Sequence, residues 1–251
     1  MGRFNGILRK GATETMFELI PIITRPLIPP RDDLFPVLEQ DIPPLSDGDI
    51  LVITSKVLAI HQGRCEKRTS ETSALSLAIR EADRYVLVRG DYVLGQKYGA
   101  LLPNSGVDES NGNGYYILLP VHLTNLMNEI RFRLRSRWGL RRLGIIATDS
   151  CTLPLRKGLV GISIAHTGVK ALVDYRGQDD LFGRTMLLSQ SNVVDSLAAA
   201  SVLVMGEGAE GTPFVIIRGS KFACEDSDDC GEVLAENHED LFAPLLETLR
   251  S

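Results

Sequence analysis

The sequence contains few cysteines and histidines, and their spacing is irregular. Four cysteines (Cys65, Cys151, Cys224 and Cys230) and four histidines are spread over 251 residues. A disulfide-stapled secreted domain or a structural zinc site needs paired cysteines or closely spaced cysteine and histidine ligands. The pattern argues against both, and we expect the cysteines to be reduced.

Long apolar runs and an excess of basic charge are also missing. No run approaches the roughly 20 apolar residues of a membrane-spanning helix, and the opening "MGRFNGILRKGATETMFE" lacks the apolar core of a signal peptide. The 32 acidic and 27 basic side chains give a formal net charge of -5, which does not favour binding to nucleic acid or to a bilayer. We expect a cytoplasmic protein with a small-molecule or protein partner, no nucleic-acid partner and no membrane partner.

The order of the predicted elements indicates an α+β fold with mixed sheets and flanking helices. Runs rich in β-branched residues predict strands at "DILVITSKVLAIHQG", "DRYVLVRG", "GYYILLP", "LGIIATDS", "VGISIAHTG" and "PFVIIRG". Helices are predicted near 33–39, within "RTSETSALSLAIREA" and "HLTNLMNEIRFRLRSRWG", within "SQSNVVDSLAAASVLVMGEG" after opening serines, and near 240–249. Because strands and helices do not alternate strictly, a doubly wound sheet is disfavoured.

The segment "HLTNLMNEIRFRLRSRWG" predicts an amphipathic helix that ends near Gly139. Its apolar residues recur at three-to-four spacing and would form one buried face: Leu123, Leu126, Ile130, Leu134 and Trp138. Its arginines would lie mostly on the opposite side: Arg131, Arg133, Arg135 and Arg137. A solvated face is the favoured interpretation, and a site for phosphate or an acidic substrate is the alternative.

Two aspartates stand in turn-like contexts beside predicted strands. Asp108 lies in "PNSGVDESNGNG", and Asp149 precedes Ser150 in "IIATDSCTLPLRKG". Magnesium and manganese prefer carboxylate, hydroxyl and phosphate oxygens, and they need few protein ligands when a nucleotide supplies the rest. The same residue types form side-chain turns wherever a chain reverses, and on spacing alone this second interpretation is favoured.

Other polar groups offer weaker signals. Glu207 and Glu210 follow a helix in "VMGEGAEGTP", where glycines allow close approach to phosphates or simply end the helix. Ser55 and Lys56 in "TSKV" lie within a predicted strand and could face a ligand or the solvent. His166 in "IAHTGV" could be a base, although a packing role is favoured.

The string "DYRGQDDLFGR" is the most distinctive of the chain. Its charged residues supply both signs: Asp174, Arg176, Asp179, Asp180 and Arg184. A structural cluster of ion pairs and direct contact with a substrate are equally compatible with this composition.

Five strings occur along the chain in an order that is specific as a set, although each is weak alone. They are "GDILVITSK", "NSGVDESN", "ATDS" followed by "PLRKG", "DYRGQDDLFGR" and "LAAASVLVMGEGAEGTPFVIIRG". Together they resemble the coenzyme F420 γ-glutamyl ligases and their relatives, from about Pro21 to Gly219. Within that group the chain looks closer to relatives assigned as γ-glutamate ligases of folate metabolism than to the deazaflavin enzymes.

The resemblance implies an α+β γ-glutamyl ligase-like fold of two intertwined subdomains. It would comprise a polar leader (1–18), a catalytic domain (19–223) and an acidic tail with a short helix (224–251). The implied activity joins L-glutamate to a carboxylate-bearing acceptor, such as a deazaflavin or folate-like molecule, with GTP or ATP and with Mg²⁺ or Mn²⁺. A homodimer is implied as well.

The resemblance also implies roles for individual residues. Metal ligands would be Asp108, Asp149, Ser150 and Glu207. Nucleotide contacts would be Pro26, Leu27, Ile28, Ser55, Lys56, Asn111, Gly206, Gly208, Glu210 and Gly211. The reaction would proceed through an acyl phosphate made from the acceptor carboxylate and the γ-phosphate of the nucleotide. Lys56, Asp108 and Asp149 would be catalytic, because the lysine and the metals held by the aspartates neutralise the phosphate charge. No side-chain nucleophile is needed for this route.

The chain departs from the family pattern at two polar positions. The family's "VSKAEGR" is "LAIHQGR" here, so Ile60 stands where a lysine is expected, and its "ETRHGF" is "LGQKYGA", with Tyr98 in place of the histidine. These changes suggest a different acceptor, altered nucleotide contacts, or a nucleotide-binding relative that has lost turnover. A purely oligomeric scaffold would require the aspartates to lie far apart.

Overall fold

The computed structural model describes residues 17–88, 92–225, 232–236 and 239–249. Within these ranges the elements are β1 (Glu18–Ile22), α1 (Leu34–Gln40), β2 (Ile50–Thr54), α2 (Ser55–Gln62), β3 (Cys65–Lys67), α3 (Ala74–Glu81), β4 (Arg84–Val88), β5 (Tyr92–Lys97), β6 (Ala100–Pro103), β7 (Tyr115–Ile117), α4 (Leu123–Trp138), β8 (Gly144–Thr152), β9 (Leu159–Thr167), β10 (Leu172–Asp174), β11 (Gln190–Asn192), α5 (Val193–Met205), β12 (Phe214–Arg218) and α6 (Ala243–Leu246). The predicted α+β class is confirmed.

A five-stranded mixed sheet, in the order β1-β12-β2-β8-β9, forms the centre of the fold. β2 and β8 are parallel, with Thr54 beside Thr148. β12 is antiparallel to both β2 and β1, and its first residue, Phe214, pairs with Ile53 and Ile22. The ends of β1 and β2, the middle of β8 and the start of β12 therefore meet at one edge of the sheet.

Apolar side chains cover both faces of the central sheet. On one face, β2 residues Leu51 and Ile53 pack in a cluster with residues of α1, α2 and α4. On the other face, Ile50 and Val52 pack with α5. This alternation follows from the two-residue period of a strand and explains why β2 reads as a continuous apolar run. No helix in the described ranges combines the length and apolarity that crossing a membrane requires.

A smaller sheet, β4-β5-β6, leads into a turn with unusual backbone geometry. Asn104, Ser105 and Gly106 have φ values of 47°, 54° and 75°, so three consecutive residues adopt the left-handed conformation. This region is unfavourable for residues with a side chain and needs support from its surroundings. The fully buried Ser105 donates a hydrogen bond to the Ala78 carbonyl at 2.6 Å, and the Val93 N–H donates to Asn104 Oδ1 at 3.3 Å.

The long predicted strand at "DILVITSKVLAIHQG" is wrong in its second half. β2 ends at Thr54, and Ser55 and Lys56 begin α2 instead of lying inside a strand. The segment contains good helix formers and ends at Gly63, whose φ of 71° is the left-handed geometry of a helix C-terminus. Buried apolar residues on both sides of the boundary hide it in the sequence.

The predicted arginine face of α4 needs one correction. Arg131 is buried, and its guanidinium donates to the carbonyls of Leu143, Cys224 and Glu225 at 2.6 to 3.1 Å. These carbonyls lie outside α4, in the loop after it and in the segment after β12, so helical spacing alone could not identify them. The helix otherwise follows the prediction and ends at Gly139.

Two further helices differ in detail. α5 is capped by Asn192, whose side chain accepts from the Asp195 N–H, and not by a serine. The helix predicted near 240–249 is shorter and spans Ala243–Leu246. Cys65, Cys151 and Cys224 carry free thiols, as expected, whereas Cys230 and the first 16 residues of the predicted leader lie outside the described residues.

Candidate functional site

A cavity of about 950 Å³ opens at the sheet edge where the strand ends meet. Its volume lies near the top of the range of roughly 300 to 1,000 Å³ that is typical of small-molecule sites. Segments that follow β1 and β2, the middle of β8 and the loop before β12 line it, together with residues 103–113. The topology thus gathers distant parts of the chain around one space, as sheets commonly do at the carboxyl ends of parallel strands.

The Lys56 side chain bridges two segments of the wall. Its ammonium lies 2.6 Å from Asp108 Oδ2 and donates to the carbonyl and hydroxyl of Ser110 at 2.9 and 3.0 Å. Burial would raise the pKa of Asp108, but the Lys56 charge and the hydrogen bonds from Ser110 outweigh it and lower that pKa. The ionised form of Asp108 is therefore favoured, and its carboxylate is paired with the Lys56 ammonium.

Asp149 presents a carboxyl group in a different state. Ser55 Oγ donates to it at 3.1 Å. Burial raises the pKa of Asp149 to about 7, although hydrogen bonds from Ser150 and Ser55 act in the opposite direction. The negative charge of Asp108 also contributes to this rise, so the two carboxyl groups are neighbours in the cavity. The Ser150 hydroxyl points to Glu207 Oε1 at 2.7 Å and links β8 to the loop after α5.

The glycine-rich loop 206–211 forms the opposite part of the wall. Gly206 has a φ of 78°, and a β-carbon there would lie 2.3 Å from the Glu210 carboxyl carbon. Glu210 accepts a hydrogen bond from the Gly208 N–H at 2.8 Å, and Asn111 Nδ2 donates to the Gly208 carbonyl at 2.8 Å. The loop also contacts the segment after β1, where the Thr24 N–H donates to the Gly211 carbonyl. Glycine is favoured at position 206 because its backbone, with φ of 78° and ψ of 171°, lies in a region that residues with a side chain rarely adopt, and a β-carbon would also displace the Glu210 carboxylate.

The N-terminus of α2 faces the same cavity. Ser55, Lys56 and Val57, its first three residues, line the wall. No side chain among the described residues caps this helix end, so its first N–H groups are available to a ligand. Free N–H groups and the positive end of the helix dipole favour an anion such as phosphate.

The oxygen donors of the cavity suit a hard divalent cation. Within the described ranges, no group of three or more His, Cys, Asp or Glu side chains is already close enough to hold a metal ion. Burial raises the pKa of the Asp149 carboxyl, and a bound divalent cation would offset that effect. Carboxylate and hydroxyl oxygens without sulfur or imidazole match magnesium or manganese, with phosphate oxygens completing the coordination.

The structure brings most of the predicted site residues together. The predicted residues that line the cavity are Pro26, Leu27, Ser55, Lys56, Asp108, Asn111, Asp149, Ser150, Gly206, Glu207, Gly208, Glu210 and Gly211. Ile28 lies outside the wall formed by the described residues, and its N–H donates to Asp32. A purely oligomeric scaffold would require Asp108 and Asp149 to lie far apart. Both aspartates line the same cavity, which argues against that hypothesis.

Ile60 and Tyr98, the two departures from the family pattern, occupy different environments. Ile60 is buried and lines the cavity. Tyr98 lies outside the cavity wall of the described residues, and its hydroxyl donates to the Pro120 carbonyl. Of the two departures, only Ile60 therefore lies at the described cavity.

The distinctive string "DYRGQDDLFGR" also lies away from the cavity. It belongs to an exposed hairpin that follows β10, and among its described residues one ion pair forms, between Arg176 and Asp174. Asp179 and Asp180 accept hydrogen bonds within the turn from Thr185, Phe182 and Arg184. A multi-residue ion-pair cluster does not form among its described residues, and none of them lines this cavity. His166, on β9, likewise lies outside the described wall.

Two features of the wall were not found from the sequence. Arg25 lines the cavity and forms a two-point ion pair with Asp32, at 2.6 and 3.1 Å, which shapes the loop after β1. Tyr92, the first residue of β5, lines the cavity beside Pro103 and Asn104. Neither residue stands in a recognisable motif, and only the pairing of strands places them at the site.

Comparisons with known proteins found one family model and several similar enzymes. A family model described as F420-0:Gamma-glutamyl ligase matches residues 22–219. The coenzyme F420:L-glutamate ligase of Methanopyrus kandleri is 34% identical over 229 residues, which cover 84% of this chain and 89% of that protein. The enzyme of the same name from Archaeoglobus fulgidus is 31% identical over 247 residues, with 92% and 98% covered. That of Methanocaldococcus jannaschii is 34% identical over 194 residues, with 70% and 78% covered.

Proposed function

The chain belongs to the F420-0:γ-glutamyl ligase family, and on that premise we propose that it is a nucleotide-dependent glutamate ligase. It adds L-glutamate through an amide bond to a carboxylate-bearing acceptor of the deazaflavin or folate type. The observation that carries the proposal is the arrangement of Lys56, Asp108, Asp149 and the glycine-rich loop 206–211 around one cavity. A cation, carboxylates and exposed N–H groups are the parts that phosphoryl transfer needs.

GTP, or ATP in its place, is the proposed phosphoryl donor. Its phosphates would lie at the N-terminus of α2, near Ser55 and Lys56, where free N–H groups and an ammonium offset negative charge. The glycine-rich loop, Asn111 and the segment that contains Pro26, Leu27 and Ile28 would hold the rest of the nucleotide. Ile28 would contribute through its backbone, because its side chain is half exposed outside the wall.

Asp108, Asp149, Ser150 and Glu207 are the proposed ligands for Mg²⁺ or Mn²⁺. Bound cations would neutralise phosphate charge during transfer. Asp108 and Asp149 supply the negative charge that attracts them, and the hydrogen bond from Ser150 orients Glu207. Lys56 is held at Asp108, so its ammonium lies ready to contact a phosphate oxygen once Asp108 takes another partner.

The proposed reaction has two steps. A carboxylate oxygen of the acceptor attacks the γ-phosphorus of GTP, which forms an acyl phosphate and releases GDP. The amine of L-glutamate then attacks the acyl carbon, loses a proton, and expels inorganic phosphate as the amide forms. The protein supplies position and charge stabilisation, and no side chain forms a covalent bond with the substrate.

A homodimer is proposed as well, with the hairpin after β10 as part of its interface. Leu181 and Phe182 at the tip of this hairpin are 97% and 95% exposed, and Leu187 and Leu188 nearby are also exposed. Adjacent exposed apolar side chains of this size are typical of surfaces covered by another protein. Light scattering on the wild-type protein and on the Leu181→Ser/Phe182→Ser variant tests this: a dimer that becomes a monomer supports it, and a wild-type monomer overturns it.

Phosphate release tests the ligase activity itself. We expect release from GTP only when Mn²⁺, L-glutamate and an acceptor are all present. Asp108→Ala and Asp149→Ala should each reduce it by at least about 100-fold, because each removes charge from the phosphoryl-transfer site. Nucleotide binding without phosphate release, under every combination of glutamate and acceptor, would instead identify a relative that has lost turnover.

A further inference from the structure

Part of the cavity wall lies outside the proposed nucleotide and metal sites. The proposed nucleotide and metal positions come from the segments after β1 and β2, from β8, from the loop 108–111 and from the loop 206–211. The sheet β4-β5-β6 and the turn after it contribute Tyr92, Pro103 and Asn104 to the wall, and none of these residues belongs to the proposed nucleotide or metal sites. At about 950 Å³ the cavity is large enough for a second ligand to lie against this surface.

Tyr92 is the one aromatic side chain among the described residues that line the cavity. It is 55% exposed, whereas the next residue, Val93, is buried. Alternation along β5 places Val93 in a cluster with Leu77 and Val107 and turns Tyr92 to the opposite side. The exposure of the Tyr92 ring is thus a consequence of strand geometry beside a well-packed neighbour.

The position of Tyr92 relative to Asp108 is fixed by the turn at 104–106. β5 pairs with β6 in a register that places Leu94 beside Pro103, so Tyr92 lies beside the turn itself. The Val93 N–H donates to Asn104 Oδ1, which ties the start of β5 to the turn. Two residues beyond Gly106 the chain reaches Asp108, and Val107 between them is buried in the same cluster as Val93. The backbone at Tyr92 and the backbone at Asp108 are therefore tied to the same turn and the same apolar cluster.

We propose that Tyr92 is the stacking residue for the aromatic ring system of the acceptor, and thereby determines acceptor specificity. This inference rests on the proposed function. An exposed tyrosine ring beside a proline offers an apolar platform, and a flat heteroaromatic ring stacks on it with its carboxylate arm directed to the reaction centre. The proposed nucleotide and metal positions lie on other parts of the wall, so the constants for GTP should not depend on Tyr92.

The test compares Tyr92→Ala and Tyr92→Phe with the wild type in steady-state assays and in direct binding of a deazaflavin carboxylate followed by fluorescence. Loss of one aromatic stacking contact should weaken acceptor binding and raise its KM about tenfold. Tyr92→Phe keeps the ring and should stay within about twofold of the wild type. KM for GTP should not change. Phe132→Ala, which removes an exposed aromatic ring of α4 outside the cavity, is the matched control.

An acceptor without a ring gives the sharper comparison. A short aliphatic carboxylate should react poorly but with the same constants in Tyr92→Ala and in the wild type, because it has nothing to stack. Equal loss for ring-bearing and ring-free acceptors, or unchanged acceptor constants in Tyr92→Ala, would overturn the inference and leave the proposed ligase activity intact. Absence of turnover in the wild type with every acceptor would overturn the proposed function, and the stacking role with it.

Discussion

The Lys56 ammonium lies 2.6 Å from the Asp108 carboxylate, although 51 residues separate them in the chain. The pair joins the first turn of α2 to the loop that follows β6. It favours the ionised form of the acid and keeps a positive charge at the wall of the cavity. Lys56 thus occupies the side of Asp108 that a divalent cation would also use.

Substitution of Lys56 tests this double role. Lys56→Met should lower the rate of phosphate release by about 100-fold or more, because a positioned charge donor at a phosphoryl-transfer site contributes on that scale. In the absence of nucleotide the same variant should bind Mn²⁺ more tightly than the wild type, because no ammonium competes for Asp108. Calorimetry measures the second effect independently of turnover.

Lys97→Met is the matched control for that substitution. It removes an ammonium that lies 2.7 Å from Asp83, outside the cavity wall of the described residues. It should leave both phosphate release and Mn²⁺ binding unchanged. If Lys56→Met behaves like Lys97→Met, the role of Lys56 in the site is wrong.

The raised pKa of Asp149 leads to a stability prediction. Its pKa is about 7 in the folded protein and near the ordinary 3.8 in an unfolded chain. The folded state therefore holds this proton more tightly, and the stabilising contribution is complete below about pH 4 and disappears as pH rises through 7. For metal-free protein we expect the free energy of unfolding to fall over this window by more in the wild type than in Asp149→Asn.

Urea denaturation in EDTA at pH 5 and pH 8 measures this difference. The asparagine variant keeps the shape of the side chain and cannot ionise, so it isolates the titration. Added Mn²⁺ should restore wild-type stability at pH 8 more than at pH 5, because only the ionised carboxylate binds a cation. If the free energy of unfolding depends on pH in the same way in the two proteins, the raised pKa of Asp149 is contradicted.

The tight packing behind the left-handed turn can be tested at Gly95. A β-carbon at Gly95 would lie 2.0 Å from Ser105 Oγ, and Ser105 cannot move away without losing its hydrogen bond to Ala78. Gly95→Ala should lower the free energy of unfolding by about 1 to 3 kcal/mol through overpacking. It should also weaken Mn²⁺ binding, because the displaced turn leads directly to Asp108.

A double-mutant cycle shows whether the two residues interact. In the Gly95→Ala background, Ser105→Ala removes the colliding hydroxyl and should cost less than it does in the wild type. Strict additivity of the two substitutions, measured by urea denaturation, would show that the collision is relieved elsewhere.

The elements that the sequence predicts well are those whose own periodicity and end signals define them. α4 follows from leucine and isoleucine at helical spacing and from Gly139 at its end. The strand "PFVIIRG" follows from a short β-branched run between a proline and a glycine. In these segments local preference and tertiary environment agree.

The failures arise where a distant partner decides the outcome. The sequence pattern does not reveal the boundary between β2 and α2, because apolar residues continue across it. The pattern therefore predicts a strand at Ser55 and Lys56, which begin a helix. Arg131 looks like a surface residue of α4, yet three carbonyls from other segments surround its guanidinium. Tyr92 carries no local signal at all, because its position follows from the pairing of β5 with its neighbours.

The site residues were identified mainly through the resemblance, and not through their spacing. Asp108 and Asp149 each fit an ordinary turn when taken alone, and only the sheet topology brings them to one cavity. The separate roles of these residues in metal and nucleotide binding stay predictions for the experiments above.

Transfer of oxygen from the acceptor to phosphate is the most direct measurement of the proposed ligase reaction. The acceptor is labelled with oxygen-18 in its carboxylate and incubated with the protein, GTP, Mn²⁺ and L-glutamate, and the products are analysed by mass spectrometry. An acyl phosphate intermediate requires that the released phosphate carries one labelled oxygen and that the acceptor gains a glutamyl group. Unlabelled phosphate, or phosphate release without a glutamylated product, would contradict the account.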